Sequence, residues 1–276
     1  MDSIHAMTPS FPVAEQSAVV AENAAVNAEY RHLVIANEAP VVDVVAGQFF
    51  HLLCPPAPDA APFLRRPMSV YAADRARGRI EFLYKVTGAG TRGLATLKTG
   101  ERLNIVGPLG RGFSLEPTWR NVVVVGRGVG LATLAPLARM AKRAGVGVTA
   151  ILSARRPDLV MSVDVFRSCG AAVITVTDAD RSSEVGNVER LLRGLAAENK
   201  VDALFTCGSN RLLQLQQRLG RELGIPGQVA LEQQMACGLG MCFCCVRDFH
   251  GSGGAVEHRR VCWDGPVFDL QEPLSW

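Results

Sequence analysis

The chain has 276 residues, enough for roughly two domains of about 150 and a small appendix. With 48% hydrophobic and 20% charged residues it is globular, and 29 basic against 26 acidic residues leave +3, too slight to make nucleic acid or an anionic lipid surface the expected partner. No apolar run approaches the ~18 residues of a membrane span, and the N-terminus has neither the basic start nor the apolar core of a signal peptide, so a cytoplasmic protein without a membrane partner is expected.

Residues 1–16 read as a polar, small-residue, flexible extension. In residues 79–86, Ile80, Phe82, Tyr84 and Val86 share one face, the period of a half-buried strand. Further strands are expected at 30–36, 48–54, 68–73 and 102–106, with turn formers such as Pro55-Pro56, Gly88 and Gly107-Pro108 between them. Short strands at this spacing predict an antiparallel β-barrel domain over 17–116. Near Pro117 the pattern changes. Strands at 121–125, 148–152, 173–176 and 203–206 alternate with helical stretches, including 187–197 and 211–223, which predicts a doubly wound α/β domain over 117–224. Pro136 removes an amide donor from the first of these helices, so that helix is expected to begin late, capped by Thr133. Ser209 or Asn210 is available to cap the last. Residues 225–276 are too few for an ordinary core, and such a module commonly needs a metal or a disulfide to hold it.

Cys54, Cys169 and Cys207 are scattered, whereas Cys237, Cys242, Cys244, Cys245 and Cys262 fall within 26 residues. A cluster confined to the tail of such a chain points to metal or redox chemistry rather than a disulfide framework. Cys237-x4-Cys242-x2-Cys245, with Cys262 after a gap of sixteen residues, has the plant-type [2Fe–2S] spacing: three thiolates from one tight loop and the last from a separate segment. Gly238 and Gly240 suit a loop that turns sharply close to inorganic sulfur. A structural zinc site is the alternative, but zinc usually takes two short-spaced pairs. By register Cys244 is a bystander, with substitution as a ligand the alternative. His5, His32, His51, His250 and His258 show no metal spacing and read as surface or core residues.

Three further motifs bear on nucleotides. Gly126-Arg127-Gly128-Val129-Gly130 follows a buried strand and opens a helix, the context in which Gly-x-Gly-x-Gly floors a dinucleotide diphosphate; a tight β–α turn without ligand is the alternative. In Arg65-Arg66-Pro67-Met68-Ser69 an arginine can pair with a diphosphate, a proline fixes the chain and a serine can hydrogen-bond a ligand's ring nitrogen. From the residues alone a basic turn leading into a strand fits equally well. Gly88-Ala89-Gly90-Thr91 opens a short helix whose free amides can hold a phosphate.

Met235-Ala236-Cys237-Gly238-Leu239-Gly240-Met241-Cys242, then Cys245-Val246, then Arg260-Val261-Cys262-Trp263-Asp264-Gly265-Pro266-Val267-Phe268, resembles the electron-transfer subunit of NAD-linked type B dihydroorotate dehydrogenases, a ferredoxin-reductase-like family. The likeness spans about 17–270. It implies FAD, rather than FMN, at Arg66, Pro67, Met68 and Ser69, at Leu83, Tyr84 and Lys85, and at Gly90 and Thr91. It implies a nicotinamide nucleotide over Gly126, Gly128 and Gly130, with Cys207 and Gly208 close to the nicotinamide, and a [2Fe–2S] module at the C-terminus. Electrons would pass between NAD and an FMN-containing catalytic dehydrogenase subunit, in a heterotetramer of two subunits of each kind, and dihydroorotate would be oxidised to orotate on that partner.

The chain departs from the family in three places. Arg127 stands where a glycine is usual, Thr133 replaces the proline of Ala-Pro-Leu, and Ser209-Asn210-Arg211 replaces the Pro-x-Pro after Cys207-Gly208. These bear on NAD use more than on FAD or the cluster. Arg155 and Arg156 read as solvated charge, with a 2′-phosphate contact as the alternative, so NAD is expected and NADP left open. Two rivals remain: a reductase feeding an oxygenase, a hydrogenase or another pyrimidine-type dehydrogenase, and a non-enzymatic scaffold that has lost nicotinamide turnover.

Overall fold

The computed structural model describes residues 13–36 and 44–274, so residues 1–12 of the expected extension lie outside it. Strands β1 (Ala14–Ala25), β2 (Tyr30–Ala36), β3 (Phe49–Leu52), β4 (Arg66–Ser69), β5 (Ala72–Asp74), β6 (Arg79–Lys85) and β7 (Arg102–Leu109) form one antiparallel sheet, ordered β4-β3-β7-β1-β2-β6-β5, with helix α1 (Ala89–Thr96) after β6. β1 starts inside the stretch read as extension. Ala14 pairs with Gly107 and Gln16 with Ile105, so a partner strand orders residues whose small side chains do not announce a strand.

The single strand expected at 68–73 is instead two strands on opposite edges of the sheet. At the break the Val70 amide donates to the Gln48 carbonyl (3.0 Å) and the Tyr71 amide to the Glu81 carbonyl (2.8 Å). Two residues thus carry the chain from one edge to the other, which curls the sheet into a barrel. Phe50 and Leu52 of β3, Ile80, Phe82 and Tyr84 of β6, and Leu103 and Ile105 of β7 form its buried core. Alternation along β3 turns Phe49 and His51 the other way.

The second sheet has the order β10-β9-β8-β11-β12-β15. Its parallel part comprises β8 (Asn121–Arg127), β9 (Gly147–Ala154), β10 (Ala172–Thr177), β11 (Ala203–Cys207) and β12 (Gly227–Ala230). Helices α2 (Gly130–Arg143), α3 (Val163–Ser168), α4 (Val185–Ala197) and α5 (Asn210–Leu223) connect these strands. Val122, Val123, Val124 and Val125 are fully buried, as a strand covered on both faces requires.

α2 does not begin late: it opens at Gly130, holds Pro136 in its interior and buries Thr133 instead of using it as a cap. An interior proline costs about 3 kcal/mol. Leu131, Leu134 and Leu137, all fully buried on this helix, offset it, since each stabilises by about 1.5–3 kcal/mol. Ser209 does stand at the N-cap of α5, but its hydroxyl makes no capping bond.

The remaining segment folds as a hairpin of β13 (Val246–His250) and β14 (Val256–Arg260), a short helix α6 (Val261–Asp264) and β15 (Val267–Asp269). β15 pairs antiparallel with β12, Ala230 opposite Val267, and so extends the second sheet. Phe249, Val261, Phe268 and Leu270 of this segment pack into one core with Phe49 and Leu109 of the barrel and Val123, Leu204 and Val229 of the second sheet. Among the described residues no helix is long and apolar enough to cross a membrane.

Candidate functional site

A cleft of about 300 Å³ opens where the barrel meets the second sheet. Pro67, Met68 and Ser69 of β4 form one wall, Leu83 and Lys85 of β6 another, Ala132 and Thr133 of α2 the floor, and Leu231, Glu232 and Met235 the far side. Thr133 is buried and donates its hydroxyl to Ser69 Oγ (2.9 Å). With that lone pair engaged, the Ser69 proton is free to point into the cleft. Tyr84 borders the cleft as well; its ring belongs to the barrel core and its hydroxyl donates to Asn23 Oδ1 (3.0 Å).

Arg66 opens β4 and lies over the first turn of α1, where a Cβ on Gly90 would come within 2.8 Å of its Nε. Thr91 Oγ1 accepts the Thr87 and Gly88 amides (2.9 and 3.1 Å), which shapes the turn. A guanidinium beside the positive end of a helix is a seat for a phosphate. A second cleft of about 660 Å³, bordered by Arg66, Gln233 and Cys244, continues the first through their shared residues Pro67 and Met235.

Next to this cleft, two glycine turns pack backbone on backbone. A Cβ on Gly130 would lie 2.5 Å from the Cys207 carbonyl, and one on Gly208, whose φ is +91°, would overlap the Arg127 carbonyl. Gly128, at φ +56°, completes the turn after Gly126. Cavities of about 240 and 320 Å³ flank the pair and share Gly208 and Glu232. Cys207 is buried; desolvation, and after it the Glu232 carboxylate, push its thiol well above the ordinary value. Glu232 Oε1 lies 3.9 Å from Cys207 Sγ. The Arg127 side chain is drawn across the ends of β9 and β10: it donates to Ser153 Oγ (2.9 Å) and to both carboxylate oxygens of Asp178 (3.1 and 2.6 Å). That pairing, helped by the Ser183 hydroxyl, holds Asp178 down at about 2. Arg155 pairs with Glu29, which also holds Lys85 (2.8 Å), and Arg156 pairs with Asp158 (2.9 Å).

The cysteine loop runs from Met235 to β13. Gly238 and Gly240 adopt φ +70° and +77°, and Cβ atoms there would press on His51 at 2.9 Å and Trp263 at 3.0 Å. The thiols come as two pairs, Cys237 beside Cys242 and Cys245 beside Cys262. The Leu239 amide donates to Cys237 Sγ (3.3 Å) and the Cys262 amide to Cys245 Sγ (3.4 Å). Burial would raise the Cys237 thiol, but amide donors from Leu239 and Cys242 outweigh it and bring it down to about 7. Cys245 falls to about 6 because the Cys262 thiol donates to it, and Cys262 is pushed up in turn. Four thiols in two pairs, with amides aimed at sulfur, form the donor set that two irons bridged by sulfide require. Among the described residues no three His, Cys, Asp or Glu side chains are grouped to hold a single ion. Cys244 is exposed and gives its S–H to the Gln234 carbonyl (3.8 Å).

Residues 17–113 match the oxidoreductase FAD-binding domain, and residues 232–272 match the iron-sulfur cluster binding domain of dihydroorotate dehydrogenase B. The dihydroorotate dehydrogenase B (NAD(+)) electron transfer subunit of Desulforamulus reducens is 34% identical over 81% of this chain and 84% of its own. That of Bacillus cereus is 33% identical over 82% and 85%. The chain belongs to the family of dihydroorotate dehydrogenase B electron transfer subunits. Among solved structures, the NADH-dependent reduced ferredoxin-NADP oxidoreductase studied for flavin-based electron bifurcation superposes with a TM-score of 0.78, at 28% identity, over 94% of this chain and 90% of that one. The ferredoxin reductase of carbazole 1,9a-dioxygenase shares the fold at a TM-score of 0.63 and 22% identity, over 79% and 68%.

As a flavin and iron–sulfur oxidoreductase of this family, the electron transfer subunit brings most of its expected site residues to one region. Pro67, Met68, Ser69, Leu83 and Lys85 face the cleft, Arg66 and Gly90 meet at α1, and Gly126, Gly128, Gly130, Cys207 and Gly208 form the adjoining turns. Four residues of this region had no role there in the sequence reading: Glu29, Glu232, His51, read as a surface or core residue, and, as a partner of Ser69, Thr133. Only Thr133 had a signal, its departure from the family proline. An isolated carboxylate or imidazole in a short strand or loop carries none.

Proposed function

We propose that this chain carries electrons between NAD(H) and the flavin of an FMN-containing catalytic dehydrogenase subunit, in the oxidation of dihydroorotate to orotate. FAD would occupy the cleft between β4 and α2, and a [2Fe–2S] cluster would sit on Cys237, Cys242, Cys245 and Cys262. The observation that carries this reading is continuity: Leu231, Glu232 and Met235 line the cleft, and Cys237 follows two residues after Met235. The wall of the flavin site and the cluster loop are one stretch of chain. FAD, when bound, supplies the conversion between the electron pair of a nicotinamide and the single electrons that a cluster carries.

The protein's part is to bind and orient. Arg66 and the start of α1 hold the diphosphate, and Ser69, with Thr133 behind it, presents its proton to a flavin ring nitrogen. The Gly126–Gly128–Gly130 turn and Gly208 let a dinucleotide approach the backbone, and Asp178 keeps the Arg127 side chain aside. Arg155 and Arg156 each already hold a carboxylate. A 2′-phosphate would therefore meet Glu29 and Asp158, which supports NAD over NADP. Met241, Phe243 and Trp263 are exposed on the cluster loop and on α6 beside it. They offer an apolar surface for the catalytic subunit, in an assembly of two copies of each. Cysteines gathered at the tail for a cluster, rather than spread as a disulfide framework, suit the reducing cytoplasm.

The test is anaerobic. Purified chain should contain iron, acid-labile sulfide and FAD; NADH should bleach the flavin and raise the electron paramagnetic signal of a reduced cluster. With the catalytic subunit added, dihydroorotate should do the same in the absence of NADH. A spectrum unchanged by NADH, or a preparation without sulfide, defeats the proposal.

A further inference from the structure

His51 is the one buried imidazole whose environment the folded chain leaves incomplete among the described residues. It lies on β3 opposite Pro67 of β4, directly behind the flavin cleft, and is 1% exposed. Neither ring nitrogen has a hydrogen-bond partner. Burial, with the Arg65 charge second, pushes its pKa down to about 4, so the ring is neutral and carries one N–H and one lone pair. Its neighbours offer that N–H nothing: the Phe49 ring (centroids 5.7 Å apart) and Pro67 lack a side-chain acceptor, and a guanidinium accepts no hydrogen bond. The Nε2–Cε1 edge faces Gly238, where a Cβ would lie 2.9 Å from both atoms. Gly238 follows Cys237 in the loop that bends toward the other thiols.

We infer that His51 donates a hydrogen bond from Nε2 to a sulfur of the [2Fe–2S] cluster, raising the cluster's reduction potential; this rests on the cluster assignment proposed above. Reduction adds negative charge to the sulfurs, and a fixed N–H donor stabilises the more negative state. The same imidazole stands between the flavin wall and the cluster loop, so it acts on the terminus of electron transfer without touching the nicotinamide.

The experiment is a redox titration of the full-length holoprotein, read by paramagnetic resonance, for the parent, His51→Phe and His51→Gln. Phenylalanine keeps a ring and removes both nitrogens; glutamine places an amide N–H where Nε2 stood. In His51→Phe the ratio of reduced to oxidised cluster at a fixed poise should fall about tenfold, a potential lower by about 59 mV for a one-electron couple. His51→Gln should stay within about threefold of the parent, and the FAD couple should not move in either. In protein carrying isotope-labelled histidine, a nitrogen coupling to the reduced cluster should be present in the parent and lost in both variants. An unmoved cluster potential in His51→Phe, or a shift confined to the FAD couple, overturns the inference. If that variant does not fold, absence of the nitrogen coupling from the labelled parent overturns it, and its loss in His51→Gln sustains it. Iron and sulfide analysis of the parent detects failure of the cluster assignment itself.

Discussion

Gly208 shows how little space the turn after Cys207 allows. Its φ of +91° and the Arg127 carbonyl standing where a Cβ would go leave no room for any side chain. Gly208→Ala is expected to cost about 1–3 kcal/mol in unfolding free energy. Stopped-flow spectroscopy should show NADH-driven flavin reduction slowed at least about tenfold, because the turn proposed to seat the dinucleotide must shift. Reduction by a chemical donor should be unchanged. At the cysteine loop two neighbouring thiols are expected to part company. Cys242→Ser should lose most iron and labile sulfide, whereas Cys244→Ser, whose S–H reaches only the Gln234 carbonyl, should keep both. Metal analysis of the two purified variants decides this.

At the level of elements, α4 and α5 are joined by a surface network. Glu189 accepts from Arg193 (2.9 Å) and Arg218 (2.6 Å), and Glu222 accepts from the same two arginines (2.5 and 3.3 Å). Arg218 first and Arg193 second hold Glu189 at about 2, below its ordinary 4.5. A carboxyl depressed in the folded state contributes stability that is complete above pH 4.5 and is lost as the pH falls through 2. Amide exchange of α4 and α5 should therefore quicken over that range, and less so in Glu189→Gln. High salt at neutral pH should weaken the same contact.

Sequence pattern reached these helices and the valine strand β8 because their periods persist over many residues. It missed the split between β4 and β5, and also β12 and β15, since three or four residues hold no period and their strand character comes from partners distant in the chain. Tyr84 is the instructive conflict. The alternation of residues 79–86 placed it inward with Ile80 and Phe82, while the family resemblance placed it on the flavin. In the folded barrel its ring follows the alternation, because removing that face from water dominates. Pro136 erred in the opposite sense: a local cost was visible, and the tertiary burial that offsets it was not.

For the whole molecule the decisive feature is the shared core. Cys245 and Cys262 lie within it, beside apolar side chains of the barrel and of both strands and tail of the second sheet. Loss of the cluster should then loosen more than the C-terminal segment. Anaerobic iron chelation with FAD retained is expected to lower the melting temperature of the entire chain in one cooperative calorimetric transition. A separate early transition for the tail would contradict a common core.

The uncovered side chains around the cysteine loop have their own implication. Met241 is 79% and Phe243 63% exposed, within a few residues of the thiols. A copy released from the ribosome without a mate carries an adhesive face and an open thioether that oxidants convert to a sulfoxide. On the proposed assembly, a copy without its catalytic subunit would be the more prone to self-association and to oxidation at this face.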